Sequence, residues 1–274
     1  MPFCPKPLVL RLQLFAIKKP NKSLEMCTLS IYPKPKNEGF IITFNRDETP
    51  SRSSINIKQD NERGLIYPQD ALHGGTWFAF SPQKNRFTCL LNGAFELHKR
   101  TLPYRKSRGL VVLESFDFDD IHLFCTHFDF EGIEPCTMIL MDKNTWIELR
   151  WDGEQRHIKI LEGTMPHIWS SCTLYNKEIR QLREKWFGDF LKNISSETPT
   201  PHPQHLWQFH KTPNDVMPEN AILMRRPSGL CTVSISQLNF DFFTQTINFN
   251  YHELESERKH EYTYATHEGN FVTA

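Results

Sequence analysis

Residues 26–52, MCTLSIYPKPKNEGFIITFNRDETPSR, decide how this chain is read. Two runs of β-branched and aromatic residues, CTLSIY and FIITFN, flank the connection PKPKNEG with its two prolines and one glycine. That pattern encodes an antiparallel hairpin, because branched and aromatic side chains suit a pleated backbone and Pro and Gly turn it. Facing Tyr32 with Phe40 puts Cys27 opposite Asn45, with Arg46 and Asp47 one step beyond, to within a residue or two of register. The hairpin thus returns an Asn-Arg-Asp-Glu run (45–48) to the start of its partner strand. Cys27 keeps two readings. It is a terminal nucleophile if Met26 is the first residue and is removed, and a core thiol if the 25 residues before Met26 stay attached, since free cysteine is among the most buried residue types.

Outward from the hairpin, the strand signal continues. After a polar loop, GGTWFAF (74–80) and RFTCLLN (86–92) read as a second hairpin, and CTMILM with TWIELRW, around Asp142-Lys143-Asn144, as a third. RKSRGLVVLESF (105–116) has a basic start and an apolar face and reads as a helix. Asp119 or Asp120 is placed to cap a shorter one through DIHLFCTHF. In LYNKEIRQLREKWFGDFLKNI (174–194), Ile179, Leu182, Trp186 and Phe190 follow helical spacing while charged residues fill the other face. HLWQFHK reads as a short helix, AILMRR, CTVSISQL and FFTQTINFNY as late strands, and the segment after about residue 255 as a loosely held polar tail. Strands and helices in this order predict an α+β domain of antiparallel sheets with outer helices, one domain over 26–274. Residues 1–25 are read as a leader or a mis-called start: Arg11 and Gln13 interrupt their apolar stretch and no small-residue cleavage site follows.

The 274 residues carry 21 Phe and 6 Trp, enough for a large core, and 32 basic against 32 acidic residues. A nucleic-acid binder would carry a basic stripe, and none is evident. No stretch approaches the roughly 20 apolar residues of a membrane span. Seven scattered cysteines without a C-x-x-C pair fit a reducing, cytoplasmic setting better than a disulfide framework or a zinc site. The twelve histidines form no H-E-x-x-H pattern; His202, His205 and His210 read as a solvated cluster. No metal or cofactor is expected.

MCTLSIYP, FNRDE, GGTWFAF, LLNGAF and SRGLVV, in that order, resemble the NRDE family, the family of transport and Golgi organisation protein 2, from Met26 to the last strands. Members of that family resemble the N-terminal nucleophile hydrolases, which implies a four-layer αββα sandwich. In the cysteine branch of those hydrolases a leading Cys is followed by Arg and Asp at the end of the next strand; the matching residues are Cys27, Arg46 and Asp47. Such a cysteine attacks an amide carbonyl while its own α-amine, with a pKa of about 8, accepts the thiol proton. Arg46 would favour the thiolate, and Asp47 would orient the amine or balance Arg46. Asn92, at the end of CLLN, is placed to serve a developing oxyanion, or is simply the first residue of an Asn-Gly turn.

The expected catalytic set is therefore Cys27, Arg46, Asp47 and Asn92, with Asn45, Glu48, Gly75, Trp77 and Ser171 expected to contact substrate. Each has a plainer reading: Arg46 to Glu48 as a charged turn, Asn45 as a turn residue, Gly74-Gly75 as a hairpin turn, Arg108 as a first-turn helix residue. Where the cysteine hydrolases carry a further Asn, this chain has Ser170-Ser171. Two functions follow: an amidohydrolase acting on a non-peptide C–N bond of a small acyl substrate, or a binding and trafficking protein that holds haem or an acyl lipid, the hydrophobic ligands that the resemblance implies.

Overall fold

β1 (Met26–Pro33) and β2 (Gly39–Glu48) pair antiparallel, as the hairpin pattern requires, in a computed structural model that describes residues 26–52, 56–142, 145–197 and 200–266. The register differs by one residue from the expected one: Tyr32 faces Ile41 and Cys27 faces Arg46. The pairing continues to Pro33 and Phe40, and a 3-10 turn at Pro35–Asn37 closes the connection with Lys36 and Asn37 at φ of 55° and 60°. The expected leader, residues 1–25, lies outside the described residues.

The later strands are β3 (Asn56–Asp60), β4 (Leu65–Gln69), β5 (Phe78–Ser81), β6 (Arg86–Asn92), β7 (Cys136–Met141), β8 (Trp146–Trp151), β9 (Arg156–Ile160), β10 (His167–Ser170), β11 (Cys231–Asp241), β12 (Thr246–Glu253) and β13 (Lys259–Ala265). They form two antiparallel sheets, ordered β10-β1-β2-β11-β12-β13 and β3-β4-β5-β6-β7-β8-β9. Aromatic rings weld the facing surfaces: Phe44 of β2 meets Phe78 of β5 edge-on at 5.8 Å, and Phe249 of β12 lies 5.1 Å from Phe80. α1 (Arg108–Glu114) packs on β5 and β6, while α3 (Lys177–Glu197) and α4 (Pro203–His210) cover β10, β2 and β11. The arrangement is an α+β sandwich, helix on sheet on sheet on helix. α2 (Ile121–His127) is capped by Asp120, whose carboxylate accepts the Leu123 N–H at 2.7 Å.

Four local expectations give way. The polar loop after β2 contains the β3–β4 hairpin; β3 is an edge strand with no buried face, so it shows no alternation in sequence. AILMRR forms no strand: Ala221, Ile222 and Met224 are buried in irregular chain, and only Arg225 makes a bridge, to Cys231. Within the expected polar tail Lys259–Ala265 forms β13, with Tyr264 buried against Phe80 at 5.7 Å, while residues 267–274 lie outside the described residues. On α3 the residue buried most completely is Arg183, not a member of the Ile179-Leu182-Trp186-Phe190 stripe.

Candidate functional site

β1 begins where β2 ends, so the first residues of one strand and the last of the other share one end of the sandwich. Directly paired residues point to the same side of a sheet, which puts Cys27 and Arg46 together on the face toward the second sheet, where Cys27 packs with Leu29 and Phe44. Arg46 is 2% exposed; its guanidinium lies 4.3 Å above the Trp77 ring, donates to the Arg52 carbonyl at 2.8 Å, and stands 3.6 Å from the Glu48 carboxylate. The Trp77 carbonyl accepts the Leu90 N–H at 2.9 Å, which ties it to the end of β6. There the Asn92 carbonyl accepts from the Ser171 hydroxyl at 2.7 Å, and the Ser171 N–H donates to the Cys27 carbonyl at 3.0 Å. Cys27, Arg46, Trp77, the end of β6 and Ser171 thus close a ring of contacts around this end of the fold.

Asn45 and Asp47 alternate to the other face, under the helices. Asn45 donates to the carbonyls of His210 and Ile222, each at 2.9 Å, and its Oδ1 accepts from His210 Nδ1 at 2.8 Å. That fixes the tautomer: Nδ1 carries the proton and Nε2 accepts from the Ser30 hydroxyl at 2.7 Å. Burial, with Arg183 nearby, pushes the His210 ring down to about 3, so it is neutral. Asp47 accepts from Thr232 at 2.6 Å and Tyr175 at 3.3 Å. Burial drives its carboxyl up to about 6 against the pull of Arg183 and these hydrogen bonds. Arg183 donates to Thr28 at 2.6 Å, to Ser170 at 2.9 Å, to Tyr175 at 3.0 Å and to the carbonyls of Asn220 and Ala221. Asp47 is therefore held across the sheet from the Cys27 thiol.

A cleft of about 1090 Å³ opens at the Asn-Arg-Asp-Glu end, with Trp77 in its wall. Five cations line it, Arg52, Arg100, Arg105, Lys106 and Arg108, against two carboxylates, Asp70 and Glu134. Arg100, Arg108 and His98 converge on Glu134 at 2.8, 3.3 and 3.3 Å, and Arg52 bridges Glu48 and Asp70. Leu72, Leu90, Leu102, Leu110 and Tyr104 supply apolar surface. The Trp77 indole nitrogen is shielded from water and has no hydrogen-bond partner. Gly75 lines the cleft where the chain passes α1 so closely that a Cβ there would stand 2.5 Å from the Gly109 backbone, a contact only glycine permits.

Chemically, the Cys27 thiol sits among apolar neighbours beside one guanidinium, and its backbone nitrogen is joined to Met26. An α-amine base exists only where a chain begins at Cys27. Along β6, Asn92 alternates with Leu91 and shares its face with Thr88, which accepts from Ser115 at 3.1 Å on the α1 side of the sheet. Among the described residues no group of His, Cys, Asp and Glu is placed to hold a metal, and no helix is long and apolar enough to cross a membrane.

Sequence reasoning missed the cations of the cleft: Arg105 and Lys106 read as the basic start of a helix that begins only at Arg108, and Arg100 lies in a loop without periodicity. It also missed His210: His202 and His205 do face each other, with centroids 5.9 Å apart, but His210 is fully buried and stands apart from them. Arg183 left a trace in sequence, an arginine four residues from both Ile179 and Phe187 on one helix face. A search of curated proteins finds no match. The match to a family model covers residues 26–131, from β1 through α2, leaving α3, α4 and β7 to β13 beyond it. That model is described as Transport and Golgi organisation 2; the matched segment takes in the hairpin, the Asn-Arg-Asp-Glu run, Trp77 and Asn92, and it is similar to that family.

Proposed function

We propose that this protein binds a hydrophobic ligand bearing an anionic group, an acyl lipid or haem, in the cleft at the Asn-Arg-Asp-Glu end. The observation that carries the reading is the cleft itself, about 1090 Å³ with five cations against two carboxylates beside a leucine-rich wall. Pockets of that volume enclose ligands of drug size or larger, and charged heads with apolar bodies match such walls. Six free thiols among the described cysteines support a reducing, cytoplasmic setting for a carrier of this kind. Titration of the protein with haem and with palmitoyl-CoA tests the reading. Saturable micromolar binding of either, weakened in Arg100→Gln and in Leu102→Asp, sustains it; absence of saturation with both sinks it.

One observation favours a second reading, a cysteine amidohydrolase on the same scaffold: Cys27 and Arg46 face each other inside the ring of strand ends. Attack by that thiol on an amide carbonyl needs a proton acceptor, which the free amine of a chain starting at Cys27 would supply. The intact mass of untagged protein made from its native gene decides this. A mature chain beginning at Cys27, with amide turnover abolished in Cys27→Ala, sustains the hydrolase reading; a chain in which Cys27 stays joined to Met26 removes its base.

A further inference from the structure

A second cavity, of about 230 Å³, lies between the edge of the first sheet, β8 and the first turns of α3, and shares no lining residue with the large cleft. We propose that it binds an oxyanion, the phosphate or carboxylate group of a small ligand, between Arg150, Lys177 and Arg180.

The charge points there first. Lys177, Arg180 and Glu184 all line the cavity, and their spacing of three and four residues puts them on one face of α3. Arg150 reaches in from β8, so three cations meet a single lining carboxylate. Arg150 is fixed in place: Glu148 accepts from its Nε at 2.9 Å and its Nη2 at 3.1 Å, and the Ala94 carbonyl from its Nη1 at 2.6 Å. A guanidinium carries five N–H donors, so two of Arg150's are left for a ligand.

Arg180 makes the stronger case. Among the described residues its side chain takes part in no hydrogen bond or ion pair, and its Nε is shielded from water without a partner. Buried polar groups are almost always hydrogen-bonded, because leaving one unpaired costs roughly 1–3 kcal/mol. An oxyanion between Arg180 and Arg150 supplies the missing acceptor and neutralises the excess charge. Trp169 and Ser171 also line the cavity. The volume falls below that of drug-sized pockets, which limits the ligand to a small one.

Calorimetric titration of the full chain with sodium phosphate and with sodium succinate, at ionic strength held constant with sodium chloride, tests the site. Saturation by phosphate alone, by succinate alone or by both supports it and names the group bound. Arg180→Gln should weaken binding about tenfold or more, the effect of one charge-assisted contact. Glu184→Gln, on an exposed position of the helix, should tighten it by removing the lining carboxylate. The opposite signs separate a binding role from a structural one, and Glu184→Gln keeps the test valid if Arg180→Gln fails to fold. No saturation by either anion, or affinity unchanged in Glu184→Gln, overturns the proposal. Neither result bears on the large cleft.

Discussion

Replacing Asp47 by Asn should change how stability depends on pH, by an amount set by the surroundings of that one carboxyl. Asp47 is buried completely, and its folded pKa is raised from 3.8 to about 6. A raised acid binds a proton in the folded state that it has lost in the unfolded one, so its contribution is full below about pH 3.8 and is lost as pH climbs to about 6. A gap of about 2.2 pH units at about 1.36 kcal/mol each is about 3 kcal/mol. His210 has the opposite sign. With its pKa lowered from 6.5 to about 3, the stability it confers is present above pH 6.5 and lost as pH falls toward 3. Between about pH 4 and 6 the two slopes oppose each other at about 1.4 kcal/mol per unit, so their joint contribution in the native protein is nearly flat. The amide introduced by Asp47→Asn resembles the protonated acid and can still accept from Thr232, so the variant leaves the His210 slope unopposed. Urea unfolding of both proteins at pH 4, 5, 6 and 7 reads this out: the variant should gain on the parent by about 3 kcal/mol across the series, then level off. Parallel curves would refute the reasoning, whatever constant offset separates them.

Arg183→Lys should cost about 3 kcal/mol or more, measured by urea midpoint, because one ammonium cannot span the five acceptors that the guanidinium reaches. Trp77→Phe removes a buried N–H that has no partner and keeps a ring over Arg46; its stability should stay within about 1 kcal/mol of the parent, while Trp77→Ala should lose roughly 3–5 kcal/mol. Thermal and urea unfolding of the pair check both, and a Phe variant as damaged as the Ala one would show that the indole N–H is bonded after all.

The first hairpin was legible because its apolar runs and its Pro-Gly connection agree, and the same consistency exposed β6, β7, β8 and the cap of α2. Its register was not, since a strand that continues through Pro33 instead of stopping at Tyr32 shifts every partner by one. β3 was silent because an edge strand with no inner face has no period to read. At the candidate site, the sequence brought Cys27 and the Asn-Arg-Asp-Glu run together. It could not say that alternation would divide the run, sending Arg46 and Glu48 toward the second sheet and Asn45 and Asp47 under the helices. The partners that decide the chemistry of Asp47, namely Tyr175, Arg183 and Thr232, come from three later segments and meet only in three dimensions.

That distance along the chain bears on how the protein reaches its native state. Arg183 lies 155 residues after Thr28, yet it is the group that binds the Thr28 and Ser170 hydroxyls. Contacts so remote in sequence form slowly, after the entropy of closing a long loop has been met. During synthesis, β1 and β2 leave the ribosome well before α3 exists, and the hairpin can zip from its Pro-rich turn toward the Cys27 end. The open end, with its buried charges, must wait for the arginine, so within this hairpin the end where Cys27 and Arg46 stand settles last.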